Sequence, residues 1–126
     1  MTEKTDIRAV RSERLLARGL ELKEEKRLRV REFAALRRRA QEGCVPGAAV
    51  RLRELREQVK RLEAEEAEAE ADVRALIARV PSRRGRLLLE MRYLSGLRWE
   101  EIAEQLGISL RVTMRTRARW VRFLDT

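Results

Sequence analysis

The residues that break helices lie at a few points in this chain and separate long stretches of strong helix formers. Both prolines and four of the six glycines lie in Gly43–Gly47 or at Pro81, Gly96 and Gly107. Residues 6–42 contain no proline and one glycine, and arginine, glutamate, leucine and alanine dominate them. These residues have high helix propensity, and no stretch alternates polar and apolar residues as a strand would. The sequence therefore predicts an all-α fold.

The first eighty residues read as two long helices that form a helical hairpin or coiled-coil arm. The first is predicted at about Asp6–Glu42, and Gly43–Gly47 has the composition of a helix stop followed by a turn. Apolar residues then recur at alternating spacings of three and four, interrupted by Glu66. A buried carboxylate without a partner is costly, so we expect this seam to open to solvent at Glu66. The seam consists of Leu52, Leu55, Val59, Leu62, Glu66, Ala69, Val73, Leu76 and Val80.

Pro81 marks a predicted boundary, and residues 81–126 are expected to form a domain of three helices. Their predicted spans are Ser82–Ser95, Trp99–Leu106 and Ser109–Leu124. Ser82 is a candidate cap for the first of them. The last two helices have the spacing of a helix-turn-helix, which needs a small residue where the helices cross, a glycine in the turn and apolar residues that lock the pair. These places are taken by Ala103, by Gly107, and by Ile102, Leu106 and Ile108.

The charge of the chain points to a polyanionic partner. Thirty Lys and Arg against 21 Asp and Glu leave a net charge of +9, and residues 105–124 contain no acid. At 100° per residue, four arginines of the last helix fall within roughly an 80° arc, opposite Thr113, Trp120 and Leu124. Such a stripe can enter the major groove of duplex DNA. The predicted DNA-binding residues are Ser109, Leu110, Arg111, Met114, Arg115, Ala118, Arg119 and Arg122.

Arg117 differs from the other arginines of this helix. It lies nearer the buried side, so we expect its side chain to extend along the core or to pair with an acid of the preceding helices.

Residues 80–124 resemble region 4 of sigma-70-type factors. The resemblance rests on Leu88-Leu89, Arg92-Tyr93, Gly96, Trp99–Ala103 and Gly107. It implies sequence-specific binding of double-stranded DNA, with RNA polymerase as a further partner. A helical pair before such a unit resembles small phage and prophage transcription regulators, among them the ArpU-like group.

Three residues depart from the region 4 pattern. Arg98 stands where a serine or threonine usually caps the first motif helix, so that cap must be supplied differently or be weaker. Thr113 and Thr116 replace aliphatic residues that usually hold the recognition helix, which suggests a loosely held helix. Only Phe33 among the aromatic residues precedes residue 93, so the chain lacks the aromatic-rich segment with which sigma factors melt promoters.

Catalytic and cofactor chemistry find no support in the residue types. The chain has no histidine, a single cysteine (Cys44) and no glycine-rich phosphate loop, so histidine-based nucleophilic catalysis and the usual zinc sites are excluded. We expect no enzymatic activity, no cofactor and no membrane span, and a cytoplasmic protein that is a monomer or a homodimer through the arm. A small terminase-like packaging subunit and a coiled-coil adaptor of RNA polymerase remain alternatives.

Overall fold

The computed structural model describes the backbone of residues 2–126 and the side chains of residues 11–126. Over the described backbone the chain forms five helices and no strand, which confirms the predicted all-α fold. The first break lies between residues 42 and 48, as predicted, and the last three helices match their predicted spans to within two residues. The helices are α1 (Thr2–Glu42), α2 (Ala48–Ala78), α3 (Arg83–Tyr93), α4 (Trp99–Leu106) and α5 (Leu110–Leu124).

The chain divides into two compact units, and the two long helices contribute to both. One unit, here called the head, consists of Met1–Leu20 and Ala69–Thr126, and the other, the hairpin, consists of Glu21–Glu68. The head therefore contains the predicted domain of residues 81–126 together with segments from α1 and α2. The predicted boundary between residues 80 and 81 stays a prediction.

The hairpin packs the second half of α1 against the first part of α2 around a small apolar cluster. Leu55 is fully buried, and Leu36 and Ala48 are nearly so. Phe33, Ala40, Val45 and Leu52 pack around these three residues. Gly47 supplies a positive φ of 74° just before α2, a conformation that costs glycine little.

Ion pairs join the two helices of the hairpin. Arg51 Nη2 lies 2.6 Å from Glu32 Oε1, and Lys26 Nζ lies 2.8 Å from Glu66 Oε2. The side chain of Glu66 is only 13% exposed. The expectation that the seam opens to solvent at Glu66 was therefore wrong, because Lys26 neutralises the carboxylate and allows it to be covered.

The predicted seam of α2 is buried only in part. Leu55, Leu62, Ala69, Val73 and Val80 are buried, whereas Leu52, Val59 and Leu76 are half-buried. Near the end of the helix the buried position is Ile77, which the heptad pattern did not include. The buried position differs from the heptad pattern because α2 ends at Ala78 and its last turn packs within the core of the head.

The core of the head draws on all five helices. Leu16 comes from α1 and Val73 and Ile77 from α2, while the remaining members belong to the chain after Ala78. A three-helix unit of about 45 residues buries too little apolar surface to be comfortably stable, and the segments from α1 and α2 enlarge its core. The other members are Val80, Leu88, Leu89, Tyr93, Ile102, Trp120, Val121 and Leu124.

The start of α3 is fixed by a cap and by a close contact with α5. Ser82 Oγ accepts a hydrogen bond of 3.0 Å from the backbone N–H of Gly85, which confirms the predicted cap. A Cβ at Gly85 would lie 2.5 Å from Trp120 Nε1, nearer than real Cβ contacts allow. Only glycine lets the indole lie against the α3 backbone, and this contact sets how closely α5 approaches α3.

Candidate nucleic-acid interface

Helices α4 and α5 form the helix-turn-helix, and the residues predicted to build it occupy their expected places. Gly107 ends α4 in the left-handed conformation, with φ 67°. Ile102 is fully buried and Ala103 is 6% exposed. Ile108 N–H donates a 3.0 Å hydrogen bond to Ala103 O, which closes the turn. The glycine and the small alanine thus allow the sharp turn that directs α5 away from α4.

The start of α4 is capped from within the helix, in place of the missing serine or threonine. An arginine side chain has no acceptor, so Arg98 cannot cap the first-turn amides. The carboxylate of Glu101 instead accepts from Arg98 N at 3.4 Å and from Arg98 Nε at 2.8 Å. These two hydrogen bonds, the side-chain bond first, hold the pKa of Glu101 below its usual value of 4.5. The predicted departure at Arg98 is confirmed, and half of a capping box compensates for it.

The two threonines of α5 satisfy their hydroxyl groups within the helix. Ser109 Oγ caps α5 by accepting from Val112 N at 3.1 Å. Thr113 Oγ1 donates to Ser109 O at 2.9 Å, and Thr116 Oγ1 donates to Val112 O at 2.8 Å. Thr113 is fully buried, so its hydroxyl needs this bond. Trp120, which is 9% exposed, and Leu124 complete the buried face that was predicted for this helix.

All eight predicted DNA-binding residues are exposed, and seven of them lie on α5 itself. Within the part of the chain that the structure describes, no ion pair joins a carboxylate to Arg111, Arg115, Arg119 or Arg122. The guanidinium of Arg119 lies 4.8 Å from the centroid of the Trp120 ring, which holds it at the edge of the buried face. The exposed surface of α5 is therefore a stripe of unpaired positive charge, here called the arginine stripe.

Apolar side chains flank the arginine stripe. Leu110 and Met114 are 43% and 36% exposed, and Ala118 continues their side of the helix. Val112, which is 37% exposed, lies on the other flank and was not among the predicted contacts. The sequence could have suggested Val112 as a further candidate contact, since an aliphatic residue in the first turn of a recognition helix can reach the methyl group of a thymine.

Arg117 points away from the arginine stripe, as predicted, and pairs with an acid of a preceding helix. Its Nη2 donates to Glu13 Oε1 at 2.8 Å, and its Nε donates to Tyr93 Oη at 3.2 Å. Burial alone would lower the pKa of Arg117, but the hydrogen bonds and charges of Tyr93 and Glu13 raise it. Nothing in the sequence singles out Glu13 among the many glutamates, because its partner is 104 residues away.

Metal ligands and membrane-spanning helices were sought among the described residues. Among the residues that the structure describes, no three His, Cys, Asp or Glu side chains converge as metal ligands would. None of the described helices combines the length and apolar character needed to cross a bilayer.

Comparison with known families agrees with this geometry. Residues 70–119 match the family model of sigma-70, region 4. No curated protein and no solved structure gives a significant match. This stretch is similar to sigma-70 region 4, a non-enzymatic helix-turn-helix family whose domains bind DNA and contact RNA polymerase. The match includes the end of α2 from residue 70, as the head does, and it indicates a DNA-binding regulator.

Proposed function

Because residues 70–119 form a sigma-70 region 4-like helix-turn-helix, we propose that this protein is a transcription regulator, encoded by a phage or prophage, that reads duplex DNA with α5. The observation that carries the proposal is the arginine stripe. It follows a glycine turn, it lies opposite a buried face, and no carboxylate among the described side chains forms an ion pair with its arginines. A stripe of this kind on a packed recognition helix matches the width and the charge of the major groove.

The proposed contacts divide into base reading and phosphate binding. Arg111 and Arg115 lie in the first half of α5, where a recognition helix meets base edges, and each guanidinium can pair with O6 and N7 of a guanine. Leu110, Met114 and Ala118 offer apolar contacts to the same edges. Arg119 and Arg122 bind phosphates, which fix the register of the protein on the duplex. Ser109 places the amino-terminal end of α5, with its partial positive charge, at the rim of the groove.

The proposal of a transcription regulator also implies protein partners. RNA polymerase is the proposed second partner, since domains of this family contact it. We propose that the protein is a monomer or a homodimer through its helical arm.

Selection from a random duplex pool tests the proposal directly. The intact chain, Arg111→Ala/Arg115→Ala and the control Arg37→Ala/Arg38→Ala are bound to the pool at two salt concentrations, and the retained duplexes are sequenced. The control removes the same charge from exposed positions of α1. We expect one enriched motif for the intact chain and the control and none for the α5 variant. If about four phosphates are neutralised, the log–log salt slope is about −3.6.

Three results would contradict the proposal in different ways. A salt slope near zero would exclude phosphate contacts as a source of affinity. Unselective binding by an assembly of many subunits would favour a small terminase-like packaging subunit, in which a helix-turn-helix serves a ring. Retention of RNA polymerase without any duplex affinity would favour an adaptor.

A further inference from the structure

The side chain of Arg117 connects the recognition helix with three other helices. It lies on α5, but its guanidinium contacts Glu13 of α1, Tyr93 of α3 and the ring of Trp99 at the start of α4, whose centroid is 5.8 Å away. All four residues belong to the head. The side chain of Arg117 is 23% exposed, so its charge is largely shielded from water and depends on these contacts.

Two arginines share the ring of Trp99, and one carboxylate balances them. The guanidinium of Arg92 lies 5.5 Å from the centroid of that ring and donates from Nη1 to Leu97 O at 3.0 Å. Tyr93 meets the same ring edge-on at 6.1 Å. Among the described side chains, Glu13 is the carboxylate that pairs with this group of two guanidinium ions and two aromatic rings. Without its negative charge, two positive charges would remain close together on one ring, which is unfavourable.

The contacts of Arg117 bear on the rotation of α5 about its own axis. Trp120 fixes the approach of α5 to the start of α3, because its indole lies on Gly85. Arg117 lies one turn earlier on the same helix and ties it to α1 and to the end of α3. Two attachment points one turn apart define the rotation of a helix about its axis, and that rotation decides which way the arginine stripe faces.

We propose that Glu13 and Arg117 are positioning residues through which α1 sets the orientation of the recognition helix α5. The inference rests on the proposed function and deepens it, because it makes sequence selectivity depend on a carboxylate in α1. Arg117 then acts without touching the duplex. The competing possibility is that Arg117 is a phosphate contact that Glu13 restrains.

Charge changes at the two positions separate these possibilities in the full-length chain. The variants are Glu13→Gln, Glu13→Arg, the exchanged pair Glu13→Arg/Arg117→Glu, and Glu21→Gln as the control, an exposed glutamate of the same helix. Binding is measured on the selected duplex and on a scrambled duplex, each at several salt concentrations. Circular dichroism of every variant establishes that the helices are retained.

We expect Glu13→Gln to weaken binding to the selected duplex by about threefold to tenfold. Binding to the scrambled duplex should change little, because the variant alters the orientation of the arginine stripe and not its charge. Glu13→Arg should weaken it further, and the exchanged pair should recover most of the loss, which a general loss of stability would not. Glu21→Gln should bind like the intact chain.

A DNA-free readout keeps the inference separate from the proposed function. The two tryptophan indole N–H signals can be followed by NMR, and we expect Glu13→Gln to shift the signal of Trp99 but not that of Trp120. Unchanged selectivity in Glu13→Gln, or an unmoved Trp99 signal, would overturn the inference. So would tighter binding with a salt slope steeper by about 0.9, the sign of one new phosphate contact. If the intact chain itself fails to bind duplex DNA, it is the proposed function that fails.

Discussion

The head and the hairpin are stabilised by different means, although the same two long helices contribute to both. The head buries large apolar side chains from every helix, and Leu16, Leu88, Leu89 and Ile102 are fully buried in it. In the hairpin, three buried residues form the apolar cluster, and ion pairs such as Arg51–Glu32 supplement it.

This difference in stabilisation indicates how precisely each unit holds its helices. Close packing of large side chains allows few alternative arrangements and, together with the contacts of Arg117, holds the arginine stripe in one orientation. A partly exposed ion pair of the hairpin such as Arg51–Glu32 contributes little stability and tolerates several side-chain conformations, so it holds the two helices together less precisely. We therefore expect changes in the head to affect DNA binding, and changes in the hairpin to affect mainly the local stability of the hairpin.

The largest effect is expected for Leu88→Ala in the head. Leu88 is fully buried in the cluster that supports α5, and replacement of a leucine by alanine at such a site costs about 2–5 kcal/mol. Thermal unfolding followed by circular dichroism should show this loss, and duplex affinity should fall with it. The neighbouring variant Leu87→Ala is the control, because Leu87 is 45% exposed and should cost less than about 0.5 kcal/mol. Equal losses in the two variants would contradict the packing described for α3.

A smaller and separate effect is expected for Leu55→Ala in the hairpin. Leu55 is fully buried, but its cluster is small and its half-buried neighbours can partly fill the space, so we expect a cost of about 2 kcal/mol. Hydrogen exchange by segment should show faster exchange within residues 21–68, while duplex affinity changes less than about twofold. Leu28→Ala is the control, since Leu28 is 52% exposed. A loss of affinity as large as that of Leu88→Ala would show that the two units are not separable in function.

The sequence predicted the helices and the helix-turn-helix well because their signals are local. Gly107, Ala103 and Ser82 act within a few residues of themselves, and the structure places each of them as its chemistry requires. The buried and exposed sides of α5 followed from a period of 3.6 residues, as Thr113 and Trp120 show. What these exposed residues contact remains a prediction.

The features that escaped prediction depend on residues far apart in the chain. Glu66 was expected to be exposed to solvent because the sequence shows no partner for its carboxylate nearby. Its partner, Lys26, lies forty positions earlier on another helix. Glu13 had no signal for the same reason, since a pattern within one helix does not reveal which acid faces Arg117. The contribution of Leu16 to the head was equally hidden, because α1 reads as one continuous helix although its two halves belong to different units.

The smallest effect concerns pH and the ion pairs of the hairpin. Hydrogen bonds from Arg51 and then from Arg29 hold the pKa of Glu32 below its usual value of 4.5. A lowered pKa in the folded state means that this contribution to stability is complete above about pH 4.5 and disappears as the pH falls through the lowered value. Glu32→Gln removes the titrating group, so the variant should be less stable than the intact chain at pH 7 and equally stable in strong acid. Urea unfolding of both proteins across this range measures the convergence, with Glu42→Gln, an exposed glutamate outside the pair, as the control. A difference that persists below the folded pKa would mean that Glu32 stabilises the hairpin by packing and not by charge, and the contrast between the two units would then be one of degree.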